Sequence, residues 1–165
     1  MPTPDINDIL SRVTTIAQEG LTSIGVTADV VPYFIHTQGT FPYMTVRVSN
    51  VANTDYDEAE EFASDVYTVT LRLVVAHLTA DYEGQSEYRL YTMIPAVREY
   101  LKRREGLQHS TAITEPPYLR HALLTGMTGL QIFVNSGVNT VTTQQIGAQF
   151  TIDCTFDYPL SQDYY

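Results

Sequence analysis

Carboxylates are the residues of this chain with the most capacity for chemistry, and they are concentrated between Asn53 and Asp65. That segment, NTDYDEAEEFASD, carries Asp55, Asp57, Glu58, Glu60, Glu61 and Asp65 without a single base. Aspartates at alternate positions suggest calcium, but the calcium loop also needs glycine at its sixth position and glutamate at its twelfth. With Asp55 as the first position, Glu60 falls at the sixth and Val66 at the twelfth, so the template fails. The segment reads as a solvated acidic loop with room for one helical turn. Two further carboxylate pairs, Glu83 with Glu87 and Asp153 with Asp157, have a spacing that general acid–base chemistry could use. Nothing else near them in the sequence marks a substrate pocket.

The remaining reactive residues are few. His36, His77, His109 and His121 lack partners at metal-ligand spacing, and neither HExxH nor a CxxC pair occurs, so no metal is expected. Cys154 is the only cysteine and shares its strand parity with Ile152 and Phe156, which predicts a buried and inert thiol. Neither GxSxG, GxGxxG nor GxxxxGK[ST] is present, and Gly126-Met127-Thr128-Gly129 reads as a turn. No catalytic residue and no cofactor is expected.

The elements that position these groups follow from hydrophobic periodicity. In Val66–Leu78, Tyr67, Val69, Leu71, Leu73 and Val75 fall on one face, with Thr68, Thr70 and Arg72 on the other. That alternation predicts a long strand with one buried side. Leu90, Ile94, Val97 and Leu101 then mark a helix that packs back onto it. Ser86 is its expected N-cap, Gly106 its stop, and Pro95 a predicted kink.

The first helix is predicted over Asp5–Ile24 from Ile6, Ile9, Leu10, Val13, Ile16, Ala17 and Leu21. Thr3 is the expected N-cap, Pro4 the first helical residue and Gly25 the stop. Strands follow at Ala28–His36, where Pro32 implies an edge or a bulge, and at Phe41–Val48. The short link Thr37–Thr40 suggests that these two form a hairpin. His109–Gly126, with Pro116-Pro117, reads as an extended connection. Leu130–Val134 is a short strand, Asn135–Thr143 a turn-rich loop, and Ala148–Tyr158 a closing strand. Its Ala148, Phe150, Ile152, Cys154, Phe156 and Tyr158 share one parity. The expected fold is α+β: one domain over residues 1–165, with a mostly antiparallel, twisted sheet of about five strands and two main helices packed on one face.

Bulk composition narrows the function classes. Nine basic against 19 acidic residues give a formal charge of −10, which argues against duplex DNA as a bound ligand. An acidic surface instead lets DNA pass without sticking. There is no apolar run of ~20 residues to span a bilayer and no signal-peptide pattern at the N-terminus, so no membrane partner is expected and the chain is expected to be made in the cytoplasm. Twelve tyrosines and no tryptophan suit amphipathic contact surfaces.

The order of elements resembles that of the tail terminator, or tail completion, proteins of long-tailed bacteriophages. The residues that carry the resemblance are the amphipathic helix Ile6–Ile24, the Pro-containing strand Val30–Ile35 and the strand Tyr43–Val48. The Thr-rich strand Tyr67–His77, the helix Glu87–Arg104 and the alternating strand Phe150–Tyr158 complete it. Pro95 and the 109–126 connection depart from that pattern.

The resemblance implies a non-enzymatic virion protein at the tail–neck junction. Such a protein forms a hexameric ring that caps the tail tube, ends its polymerisation and offers a surface to neck or head-completion proteins, while genomic DNA passes through the lumen. It places Asp55, Asp57, Glu58, Glu60 and Glu61 at the lumen or the ring face. Pro116, Tyr118, Arg120 and Asn139 would contact the tube or the neck, and Arg72 would lie at an interface or the lumen. Another ring protein of the neck or tail (a connector, neck or tube subunit), a small acidic enzyme and a monomeric binding domain are the competing readings.

Overall fold

The computed structural model describes residues 4–32, 41–57, 62–77, 85–136 and 142–159. Helix α1 spans Ile6–Ser23, and strands β1 (Asp29–Val31), β2 (Tyr43–Asp57) and β3 (Phe62–His77) follow it. Helix α2 spans Gln85–Lys102. The chain then forms β4 (Leu119–Met127), β5 (Gln131–Ser136) and β6 (Thr142–Pro159). The fold is α+β, with two helices on a mostly antiparallel six-stranded sheet. The sheet order is β1-β2-β3-β6-β4, and β5 also pairs with β6.

Strands β4 and β5 lie end to end along one side of β6. Leu119–Met127 matches Phe156–Phe150, and Gln131–Ser136 matches Gly147–Thr142. Between them Thr128 holds the ladder together: its N–H donates to the Gln149 carbonyl at 2.9 Å, and its Oγ1 accepts from the Gln149 N–H at 2.9 Å. The pair therefore forms one interrupted edge strand.

Both helices bury their apolar stripes against the same sheet face. Ile9, Val13, Ile16 and Leu21 of α1, with Leu90, Met93, Val97 and Leu101 of α2, join one cluster. That cluster also contains Tyr67, Val69, Leu71, Leu73 and Val75 of β3 and Ala148, Phe150, Ile152, Cys154 and Phe156 of β6. The alternation in the two longest strands thus reports burial directly, because β-strand side chains point to opposite faces in turn.

Several local expectations are corrected. The N-cap of α1 is Asp5, not Thr3. Its carboxylate accepts from the Asn7 and Asp8 N–H groups at 2.9 and 3.3 Å, an acidic cap at the positive end of the helix dipole. At the other end Gly25 has φ +74°. The Gly25 N–H donates to Thr22 and the Val26 N–H to Leu21, which satisfies two terminal carbonyls. Helix α2 runs on through Pro95, where a kink was expected. The bond the proline removes belongs to the carbonyl of Tyr91, a residue exposed to solvent. Helix α2 begins at Gln85 and ends at Lys102, so Ser86 is inside it and Gly106 lies beyond its end.

Strands β1 and β2 are parallel, with Asp29 opposite Tyr43 and Val31 opposite Thr45, so they are not a hairpin. The expected sheet edge at Pro32 is correct in place, since β1 is outermost. The 33–40 link lies outside the described residues. The acidic segment is not a loop over its described length: Asn53–Asp57 and Phe62–Asp65 pair as the end of the β2–β3 hairpin. The 109–126 connection contains most of β4, a strand beyond the five expected, and only its first part is irregular.

Candidate functional surfaces

The β2–β3 and β5–β6 hairpins close at opposite ends of the sheet. The first ends where Asp57 faces Phe62 and Phe62 faces Pro159. The second ends where Ser136 faces Thr142. Between these ends the face without helices carries Thr68, Thr70 and Arg72 of β3 beside Gln149, Thr151, Asp153 and Thr155 of β6.

Five of the predicted interface residues lie near the first, acidic end. Asp55 sits opposite Ser64 in the β2–β3 register, and Ser64 sits opposite Asp157. The Ser64 hydroxyl donates to the Asp157 carboxylate at 2.6 Å. The Asp157 N–H donates to the Tyr118 carbonyl at 3.0 Å, and the Arg120 guanidinium lies 3.9 Å from the Asp157 carboxylate. Tyr118 has φ +64° and is exposed, and Pro116 is buried just before it, with its carbonyl accepting from the Leu119 N–H at 3.3 Å. Asp57 ends β2 at the same side. Glu58, Glu60, Glu61 and Asn139 lie outside the described residues.

Asp65 departs from the solvated acidic run expected for this segment. It is buried on the helix-covered face and accepts from the Tyr158 hydroxyl at 2.6 Å. That hydrogen bond, with burial and the Asp65 charge, pushes the Tyr158 phenol up to about 12. Burial, with the Asp65 charge, also raises the phenol of Tyr67. Asp65 is therefore a structural acceptor inside the fold.

Arg72 lies toward the other end. It is half-buried, with its guanidinium carbon 4.3 Å above the Phe133 ring. Phe133, Tyr43 and Val74 form a small second cluster on this face. The Tyr43 hydroxyl there donates to the Gln145 side-chain carbonyl at 2.8 Å. Burial and the neighbouring Arg47 charge lower the Arg72 pKa from its ordinary value, with Tyr43 acting the other way. Arg72 thus lids an aromatic residue on the sheet (a cation–π contact) and does not join the acidic end.

The other candidate acids are engaged structurally. Asp153 accepts from the Thr68 hydroxyl at 2.9 Å, across β3 and β6. Glu87 accepts from the Tyr91 hydroxyl at 2.6 Å, and Glu83 lies outside the described residues. Cys154 is fully buried, and burial followed by the Asp153 charge pushes its thiol up to about 12. Among the described residues, no three His, Cys, Asp or Glu side chains converge on a metal position. No helix among them is long and apolar enough to cross a membrane.

One surface escaped the sequence reading. On the β4–β5 edge Met127, Leu130, Ile132 and Val134 are exposed, the last two by 50% and 59%. Alongside, α2 presents Tyr88 and Tyr91, exposed by 77% and 54%. Tyr88, Tyr91, Arg98 and Lys102 recur at helical spacing on one stripe of α2. Arg98 and Lys102 line a groove with Leu123, Leu124 and Met127. The alternation Leu130, Ile132, Val134 was legible in the sequence, but not its direction: Phe133 is the residue that turns inward.

No protein-family model matches the chain, and no curated protein matches it.

Proposed function

We propose that this protein is a non-enzymatic structural component of a long-tailed phage particle, a tail-terminator-like ring subunit at the tail–neck junction. The observation that best supports the reading is the placement of two hairpins at opposite ends of one sheet. A ring that joins a tube to a neck needs two contact surfaces, one on each side of its plane. The β2–β3 and β5–β6 hairpins, at opposite ends of one two-layer fold, suit that requirement. The formal charge of −10 fits a ring through which DNA slides without being held.

In this reading Asp55 and Asp57, with the neighbouring Tyr118 and Arg120, belong to one axial contact surface. The β5–β6 end, with Asn139 in its connecting segment, belongs to the other. The tail-tube protein and a neck or head-completion protein are the partners, and genomic DNA passes without specific binding. The ring itself is a heterologous, head-to-tail assembly that closes on itself.

Light scattering across a concentration series tests the ring. The expected result is a closed species of hexamer mass. A species that lengthens continuously into tubes identifies a tube subunit instead. The axial role is tested in particles carrying Asp57→Lys and Glu58→Lys together. Tails of uncontrolled length or lost infectivity are expected, and unchanged tails and infectivity remove that role from the acidic end.

A further inference from the structure

The helix layer ends before the sheet does. Directly opposed residues of an antiparallel pair point to the same face. Leu124 pairs with Ile152, Met127 with Phe150 and Ile132 with Ile146, and those three β6 residues belong to the core beneath the helices. Val134, two residues past Ile132, takes the same side. All four therefore project toward the helix layer. Met127, Ile132 and Val134 are nonetheless exposed, while Ile146, Phe150 and Ile152 one strand inward are buried.

A bulge builds this placement. Leu124 and Met127 are three residues apart and would face opposite ways in a regular strand. The register shift between Leu124 and Gly126 leaves Thr125 as the extra residue and returns Met127 to the helix side. Bulges re-aim side chains in this way. Between β4 and α2 the result is a groove of about 310 Å³. Ala122, Leu124 and Met127 line it from the sheet, Arg98 and Lys102 from α2, and Glu105 from just beyond the helix. Arg98 and Lys102 stand one helical turn apart and are exposed. Neither forms an ion pair among the described residues, although acids outnumber bases 19 to nine in the chain.

A segment that covers this surface must meet two demands. It must bury the apolar row, and it must bring carboxylates to Arg98 and Lys102, because cations covered by apolar surface without a partner are costly. A second copy docked through the same surface brings two more cations and fails the second demand. The uncovered row lies on the face that both helices occupy, so a third helix against the flank of α2 continues the layer. From Leu124 to Val134 the row follows Ile152–Gln144 of β6, roughly 27 Å at a strand rise of about 3.3 Å per residue. A helix of about 18 residues has that length.

We infer that this groove docks an amphipathic helix of a partner protein, its apolar stripe on Leu124, Met127, Ile132 and Val134 and its acidic flank on Arg98 and Lys102. The inference goes beyond the ring reading and does not depend on it.

Three synthetic peptides of about 18 residues test it, by fluorescence anisotropy against the whole chain. The first carries leucines at helical spacing and glutamates along one flank. The second keeps the leucines and has lysines for the glutamates. The third has the composition of the first with two central prolines that prevent a helix. Saturable binding of the first alone is expected. Arg98→Glu with Lys102→Glu is expected to weaken it by about tenfold or more, and Met127→Ser with Ile132→Ser likewise. Circular dichroism checks that these surface variants keep their fold. Arg89→Glu with Arg103→Glu changes the net charge equally at exposed positions that do not line the groove, and is expected to leave the affinity within about twofold.

Equal binding of the lysine peptide, equal loss from both charge variants, or no saturable binding of the first peptide overturns the docking site. Binding of the proline peptide as tightly as the first shows an extended occupant and overturns the helix. A chain that self-associates in light scattering and becomes monomeric with Met127→Ser and Ile132→Ser uses this surface between copies, which overturns the partner helix.

Discussion

The two faces of the β3–β6 pair are built from the same strands and the same register, yet they are held by different physics. On the helix-covered face Val69, Leu71, Leu73, Phe150 and Ile152 are buried at or near complete exclusion of water. Their contribution is non-directional and scales with apolar area. On the other face the cross-strand contacts are directional: Thr68 to Asp153, Thr70 to Ser49 and Ser64 to Asp157. Such pairs stabilise the ladder modestly while leaving polar groups within reach of water or a neighbour. The covered face therefore decides whether the chain folds. The open face fixes register and keeps a surface on which function can be placed.

The contrast can be broken in order of effect. Phe150→Ala should be the most damaging, because it empties a fully buried ring site of β6 inside the core cluster that the sheet shares with the helices. A loss of about 3–5 kcal/mol in denaturant unfolding is expected.

Gly147→Ala tests the point where the two faces meet at a register shift. A Cβ there would lie 1.9 Å from the Leu73 carbonyl oxygen and 2.7 Å from the Phe133 ring. The backbone must shift, for an expected loss of about 1–3 kcal/mol by the same measurement. Near-UV circular dichroism should report the disturbed Tyr43–Phe133 cluster.

Thr68→Ala removes one cross-strand hydroxyl but leaves the Asp153 carboxylate partly open to solvent. The expected loss is about 1 kcal/mol, smaller than for either covered-face change. A loss equal to that of Phe150→Ala would refute the division between the faces.

The smallest effect is a pH dependence. Tyr158 holds its proton up to about 12 in the fold, against an ordinary value of 10.0. Between those values the unfolded chain has released the proton and the folded chain has not, so stability falls as pH rises. The contribution is fully present below pH 10. Tyr158→Phe should flatten the part of the decline above pH 10 that comes from this group, as read from denaturation midpoints across pH 9–12.

The same contrast explains how much was legible beforehand. Where a strand has one covered side, its side-chain period equals its burial period, so Tyr67–Val75 and Ala148–Phe156 could be read residue by residue. The helices were legible from the three-to-four spacing of Ile9, Val13 and Ile16 and of Leu90, Val97 and Leu101. The acidic segment misled because charge density resembles a loop. In the fold Asn53–Asp57 and Phe62–Asp65 extend a hairpin whose pairing comes from the backbone, which carries no sequence label.

Strand β4 was hidden for a related reason. Its pattern is broken by register shifts between Leu119 and His121 and between Leu124 and Gly126, so no clean period survives. Of the predicted interface residues, Tyr118 and Arg120 adjoin the acidic end through Asp157. Arg72 does not, because its row of the sheet lies nearer Phe133. The exposed edge at Ile132 and Val134 was invisible because exposure depends on where the helices stop.

By itself, then, the chain determined its two amphipathic helices, the two long strands and the face each must bury, since local periodicity carries that information. Tertiary structure alone decided that β1 joins β2 in parallel, that Asp65 is a buried acceptor for Tyr158, and that β4 and β5 lie end to end along one side of β6. Those outcomes depend on contacts between residues far apart in sequence, where backbone pairing and helix coverage, not side-chain type, choose the partner.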